Sequence, residues 1–293
     1  MADGVIGLLH PGEMGAAVGG CLTGFGRTVL WAADGRSPAT AARADAAGLT
    51  AAGTIADVAG RSDIVLSVCP PHAAEDVARA VVATGFTGLF VDANAISPAR
   101  SREVAGIIAA GGGRYVDGGI IGLAPGTSEA GTRLYLSGPD AGVIADLFTG
   151  SALDARVVDG DVGAASAVKM AYASWTKGSA ALLLTARALA RAEQVEDTLL
   201  TEWGLSQPAV LNRFPGSARS AAAKGWRWLA EMQEIADSMA ADGLPRGFHD
   251  AAAEVYRRQG PSRSGSDGQP MTDVVLDALL RGGKQPQGSG EDR

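Results

Sequence analysis

Apolar positions in the first half of the chain fall in short, nearly unbroken runs separated by alanine-rich stretches with helical spacing. The runs "VIGLL" (5–9), "TVLWA" (28–32), "IVLSV" (64–68), "GLFVDA" (88–93), "RYVDGG" (114–119) and "TRLYLSG" (132–138) predict strands. The stretches at 12–26, 37–48, 72–84 and 97–111 predict helices, with Ser37 as an N-cap and Pro38 in the first turn of the second. Strands apolar on both faces, alternating with helices, predict a mainly parallel sheet covered on both sides.

The pattern changes near residue 160. Residues 161–194 contain no proline and predict one very long helix, followed by helices at 196–205, 217–243, 247–260 and 271–281. The polar stretch "PSRSGSDGQP" (261–270) reads as mobile and the end of the chain as disordered. The expected division is therefore an α/β domain over 1–160, an all-α domain over 161–282 and a tail over 283–293.

Composition narrows the function. With 293 residues and 46% hydrophobic positions, the chain is long enough for one large or two moderate globular domains. The net charge of −7 argues against binding to nucleic-acid backbones, which needs a basic face. Cys21 and Cys69 lack metal or redox spacing and read as reduced thiols, so no metal is expected. No apolar run is long enough for a leader or a membrane span, so the expectation is a cytoplasmic protein with no membrane partner.

The chemistry begins at "GLLHPGEMGAAVGG" (7–20). A dinucleotide-binding loop reads G-x-G-x-x-G between a strand and a helix; Gly12 and Gly15 hold the second and third glycine places, and His10 stands at the first. The flanking strand and helix identify His10, Pro11, Gly12, Glu13, Met14 and Gly15 as a pyrophosphate cradle, with His10 shaping the turn. After the next strand, Asp34 stands where a ribose-reading acid belongs and favours NAD, whereas Arg36 and Ser37 suit the 2′-phosphate of NADP. We read the pair as favouring NADP, with NAD the alternative. In the long helix, Lys169, Tyr172 and Thr176 share a face. From the residues alone, Lys169 reads as a lysine snorkelling to water or as one that exchanges a proton.

The chain resembles the β-hydroxyacid dehydrogenases related to 6-phosphogluconate dehydrogenase, over about residues 4 to 260. Within that group it is similar to a bacterial subgroup with the "LHPGEMG" loop, the "SVCPPHAA" segment (67–74) and a helical C-terminal domain of its own. The resemblance implies a Rossmann domain, a long connecting helix and an active site between domains. It places Cys69, Pro70 and Pro71 against the cofactor, and Asn94 of "DANAISP" (92–98) against cofactor or substrate. It makes Lys169 the catalytic lysine, with Tyr172 in place of the family's Asn. The family's substrate motif D-x-x-x-S-G-G falls on "DGGIIGLAPGT" (117–127), where Asp117 and Gly122 match and Ile121 and Leu123 replace Ser and Gly. Those replacements imply a more apolar pocket.

Lys177 is a candidate for a substrate anion. Glu231 and Glu234 stand near the place of the family's basic residue, and Trp226 and Trp228 read first as core residues. The resulting expectation is an NADP-dependent oxidoreductase acting on a small hydroxyacid-type alcohol or carbonyl. An imine reductase on the same fold and a non-catalytic NADP-binding protein are the alternatives. The alanine-rich face of the long helix suggests a homodimer.

Overall fold

The computed structural model describes residues 4–127, 131–260 and 271–282. The stretch at 261–270 and the tail at 283–293, expected to be mobile, lie outside the described residues. Chain contacts divide the protein into two compact units, Met1–Ala171 and Tyr172–Arg293.

The first unit is built on an eight-stranded sheet in the order β3-β2-β1-β4-β5-β6-β7-β8. Its strands are β1 (Ile6–Leu9), β2 (Val29–Ala32), β3 (Thr50–Ala52), β4 (Ile64–Ser67), β5 (Leu89–Asp92), β6 (Arg114–Ile121), β7 (Thr132–Ser137) and β8 (Leu153–Val157). Every pairing is parallel except β6 with β7. Alternate side chains feed two cores, which explains the unbroken apolar runs. Ile6, Leu8, Val29, Trp31 and Val91 pack beneath α1 (Glu13–Thr23), α2 (Pro38–Ala46) and α6 (Ala141–Leu147). Leu9, Leu30, Val65 and Phe90 pack beneath α3 (Ile55–Ala59), α4 (Ala74–Val82) and α5 (Pro98–Ala110). The chain leaves β1 toward β2 and later returns to β4 on the other side of β1. This topological switch opens a crevice at the carboxyl ends of β1 and β4.

The division between units falls inside α7 (Ala164–Ala192). The second unit continues with α8 (Glu196–Ser206), α9 (Pro208–Ala241), α10 (Gly247–Gln259) and α11 (Met271–Arg281); α9 packs chiefly on α10.

Three local features depart from the sequence expectation. Strands β3 and β8 and helices α3 and α6 are short, and β3 and β8 are half-exposed sheet edges, so their apolar signal is weak. Helix α9 starts at Pro208 rather than 217 and runs through Pro215. A proline inside a helix removes one backbone bond and ordinarily ends the run. Here buried Phe214 and Ala218 anchor the helix on both sides of it, with the Arg187 guanidinium 4.1 Å over the Phe214 ring. Finally, Trp226 is not a core residue: it is about half exposed beneath Arg227.

Candidate active site

The loop after β1 makes its turn with a histidine. His10 has φ +66°, in the left-handed region that glycine enters freely and other residues enter at a cost. The Gly12 N–H donates to the His10 carbonyl at 2.7 Å, closing a tight turn about Pro11. A Cβ on Gly15 would stand 2.5 Å from that carbonyl, so only glycine lets α1 start this close to the turn. Gly12 differs: a Cβ there would meet nothing within 4 Å, and its φ of −68° suits any residue. Glycine as the N-cap residue brings no capping side chain of its own, and the start of α1 faces that open space. These features fit a dinucleotide pyrophosphate, with Pro11, Gly12, Glu13 and Met14 forming the rim. Burial, and then the Arg36 guanidinium, pull the His10 pKa down to about 4, so the imidazole is neutral at physiological pH.

Arg36 follows the carboxyl end of β2 and approaches His10 closely enough to act on its titration. Among the described residues no carboxylate pairs with Arg36. Ser37 caps α2, its Oγ accepting from the Thr40 N–H at 3.3 Å. Asp34 is exposed in the same turn.

At the end of β4, Cys69 and Pro70 lead into a single 3-10 turn at Pro71–Ala73. Asn94, beyond the end of β5, ties this loop to its own: its Oδ1 accepts from the Cys69 N–H at 2.5 Å, and its Nδ2 donates to Ser67 Oγ at 3.3 Å. The buried Asn94 amide therefore fixes the height of one loop against the other. Burial pushes the Cys69 thiol up to about 12, so it is not a thiolate nucleophile at neutral pH.

Sequence reasoning missed a polar row that crosses the sheet. Ser67, Asp92, Asp117 and Ser137 stand side by side on β4, β5, β6 and β7, all buried. Asp117 Oδ1 accepts from Ser101 Oγ at 2.8 Å and Ser166 Oγ at 2.6 Å. Its Oδ2 accepts from Ser137 Oγ and from the Gly163 and Ser166 N–H groups, each at 3.0 Å. Ser137 Oγ in turn accepts from the Ala165 N–H at 3.1 Å. Asp117 thus caps α7 from another strand, satisfying donors that a helix start leaves open. Asp92 has less support: its Oδ1 accepts from the Asn94 N–H at 2.8 Å. Burial pushes its pKa up to about 7, and its Oδ2 has no hydrogen-bond partner among the described residues.

One turn beyond this cap stands Lys169. A Cβ on Gly119 of β6 would come within 2.9 Å of the Ala165 carbonyl and of Lys169 Cβ. The bare backbone of Gly119 therefore seats Lys169 directly over the sheet near the carboxyl end of β6. At that end Ile121 is buried, Gly122 has φ +126°, and Leu123 is 52% exposed.

The carboxyl ends of β1, β2, β4, β5 and β6 thus gather the Gly12 loop, Arg36, Cys69 to Pro71, Asn94, Gly122 and Lys169 on one edge of the first unit. Tyr172 and Lys177 belong to the second unit. Tyr172 is exposed. Lys177 pairs with buried Glu231, lies 5.3 Å over the Trp228 ring, and its carbonyl accepts from Tyr256 Oη at 2.7 Å. Trp228 meets Tyr256 edge-on at 5.0 Å. Among the described residues no cluster of His, Cys, Asp and Glu is set to hold a metal, and no helix is long and apolar enough to cross a membrane.

Residues 4–146 match the model of the NAD binding domain of 6-phosphogluconate dehydrogenase, and residues 190–259 that of a domain of unknown function (DUF1932). A solved conserved protein, described as structurally similar to 3-hydroxyacid dehydrogenases, is 28% identical; the match covers 95% of this chain and 99% of that one, with a TM-score of 0.65. The 3-hydroxyisobutyrate dehydrogenase of Mycobacterium tuberculosis, solved with L-serine, is 18% identical over 94% of this chain and 99% of its own, with a TM-score of 0.70. An imine reductase from Myxococcus stipitatus in complex with NADP+ is 21% identical over 94% and 99%, with a TM-score of 0.56. No curated protein sequence matches the chain.

Proposed function

We propose, from the match of residues 4–146 to the model of the NAD binding domain of 6-phosphogluconate dehydrogenase, an oxidoreductase that moves a hydride between NADP(H) and a small hydroxyacid-type alcohol or carbonyl compound. The observation that carries the reading is the seat of Lys169 on Gly119, on the same sheet edge as the open space before Gly12. When bound, the cofactor supplies or accepts the hydride. The rest of the work is the chain's own. The α1 N-terminus and the Gly12 loop hold the pyrophosphate, and Arg36 with Ser37 holds the 2′-phosphate. Asn94 keeps the Cys69–Pro71 loop at the height of the cofactor, and Gly122 offers backbone to the substrate. Lys169 Nζ gives a proton to the substrate oxygen during reduction and takes it from the hydroxyl during oxidation. The protein is read as a cytoplasmic homodimer.

Two variants test the cofactor site. Arg36→Ala is expected to weaken NADPH about 10- to 100-fold, the worth of a charge-assisted phosphate contact, while leaving NADH within about twofold. Fluorescence titration of both cofactors measures this, and equal losses would refute the 2′-phosphate role. Gly12→Val is expected to remain folded, because its Cβ enters open space and the φ of −68° suits any residue. Its dinucleotide affinity should fall at least about tenfold, since the added side chain occupies the pyrophosphate position. Unchanged affinity in a folded Gly12→Val protein would remove the cradle from this loop.

A second reading has its own support. Ile121 and Leu123 stand where the family carries Ser and Gly, which favours an imine as the substrate; the retained lysine favours the hydroxyacid. Initial rates with NADPH on a panel of β-keto and β-hydroxy acids, set beside a panel of cyclic imines, decide between them. No turnover on either panel, with intact NADPH binding, would favour a non-catalytic NADP-binding protein.

A further inference from the structure

Asp92 is a buried acid for which the proposed chemistry has no task. It ends β5, 1% exposed, between Ser67 of β4 and Asp117 of β6 in the strand register. Its two neighbours in the row are well supplied with partners. Asp117 is a carboxylate held by five donated hydrogen bonds. Ser67 Oγ accepts from Asn94 Nδ2 at 3.3 Å and donates to Cys69 Sγ at 3.7 Å. Asp92 has the Asn94 N–H on Oδ1, and its other oxygen has no hydrogen-bond partner among the described residues.

A chain of contacts runs from Asp92 to the loop after β4. Asp92 Oδ1 fixes the Asn94 backbone at 2.8 Å, and the Asn94 Oδ1 accepts from the Cys69 N–H at 2.5 Å. Residues 70 and 71 are prolines and bring no backbone N–H. The Cys69 N–H is therefore the last backbone donor by which this loop can be tied before its 3-10 turn.

We propose that Asp92 is a positioning residue of the cofactor site: through Asn94 it sets the height of the Cys69–Pro71 loop. The inference rests on the oxidoreductase reading above and adds a residue to its cofactor site. Asp92 does this work as the neutral acid. The charged and titratable groups around it are Asp117 and Tyr115 on β6 and Cys69 after β4. Beyond them stand Lys169 of α7, seated over Gly119 on the same face of the sheet, and Arg102 of α5, whose guanidinium reaches Gly163. Helix α4 turns Ala74, Val77 and Ala78 inward and brings no charge. Two buried carboxylates on adjacent strands repel each other, and Asp117 holds the donors that sustain a charge. Burial above all, opposed by the Asn94 donors and reinforced by the Asp117 charge, pushes the Asp92 carboxyl up to about 7. While neutral, it leaves the Asn94 amide to Ser67 and Cys69. Once ionised, it attracts Nδ2, whose bond to Ser67 is the longer one, and an amide turned that way takes Oδ1 off the Cys69 N–H. The loop is thus held below a pH of about 7 and loosened above it.

Two variants of matched shape test this. Hydrogen exchange at the Cys69 amide, followed by mass spectrometry at one pH and without cofactor, reads how often its bond opens. Asp92→Leu keeps the outline of the neutral acid and accepts no hydrogen bond. Its Cys69 amide is expected to exchange at least about fivefold faster than in wild type. Its NADPH dissociation constant should rise about 10-fold, with kcat falling less. Asp92→Asn keeps an acceptor for the Asn94 N–H and carries no charge, so near pH 6 it restores what Asp92→Leu loses. Toward a pH of about 8.5 the wild type should lose NADPH affinity relative to Asp92→Asn by at least about fivefold, with a midpoint of about 7. Titration of the cofactor's own phosphate is common to both proteins and cancels. Parallel pH behaviour of wild type and Asp92→Asn would overturn the proposal. So would wild-type exchange in Asp92→Leu, or faster exchange with unchanged NADPH affinity. Should Asp92→Leu fail to fold, the pH comparison decides alone. A wild type that binds neither NADPH nor NADH would end the oxidoreductase reading and the cofactor role with it, while the exchange rates still decide whether Asp92 holds the loop.

Discussion

Replacing Lys169 with methionine is expected to lower turnover by about 10²- to 10⁴-fold, the range for loss of a positioned proton donor or acceptor. Methionine keeps most of the stem, so the packing over Gly119 is retained and only the ammonium is lost. The loss should appear in kcat and kcat/KM alike, because proton transfer is made in the transition state rather than on binding. NADPH affinity, read by fluorescence, should stay near wild type, since the proposed cradle is the Gly12 loop. Turnover within about threefold of wild type, on whichever substrate panel is active, would end the catalytic assignment. A matched loss of cofactor affinity would instead place Lys169 in the binding site.

The second large effect is on stability. Asp117→Ala is expected to cost about 3–5 kcal/mol, the usual price of breaking a buried charged network by removing one partner. Three serine hydroxyls and two backbone N–H groups donate to this carboxylate and would lose their acceptor in a dry interior. Thermal unfolding should shift by roughly 10 °C for a domain of this size. Asp117→Asn is expected to recover only part of the loss, because its amide nitrogen brings a donor where the surroundings already donate. A cost below about 1 kcal/mol for Asp117→Ala would mean that water or rearranged hydroxyls replace the carboxylate easily. In both variants the start of α7 loses its cap, so turnover should fall more than cofactor affinity does.

The architecture was legible wherever burial is two-sided. Runs such as Ile64–Ser67 and Leu89–Asp92 are apolar on both faces because helices cover both, and the alternation of elements follows from that. It was not legible at Thr50–Ala52 and Leu153–Val157, where an edge strand buries too little to leave a pattern. The resemblance to the 6-phosphogluconate dehydrogenase group agrees with the family model matched by residues 4–146.

The loop after β1 was legible in outline. A missing glycine raised the question of its turn, and the answer is that His10 takes the left-handed backbone itself. Nothing in the local sequence announces Asp117 as a helix cap, because its donors come from residues 101, 137, 163 and 166. Such a hub exists only once four segments meet. Nor does spacing alone distinguish Lys169 from Lys177: one is seated on a bare glycine, and the other is paired with Glu231.

The row Ser67, Asp92, Asp117 and Ser137 also bears on how this protein can change. Through Asp117 and Ser137 it locks β6, β7, α5 and the start of α7 together, with side chains that no substrate touches in the proposed mechanism. The loops above it, at 68–71, 93–97 and 122–127, carry residues that face the cofactor or substrate in the proposed mechanism. Exchanges in those loops leave the lock intact, so new substrates can be tried without refolding the sheet. Exchanges in the lock itself endanger every activity the fold could host.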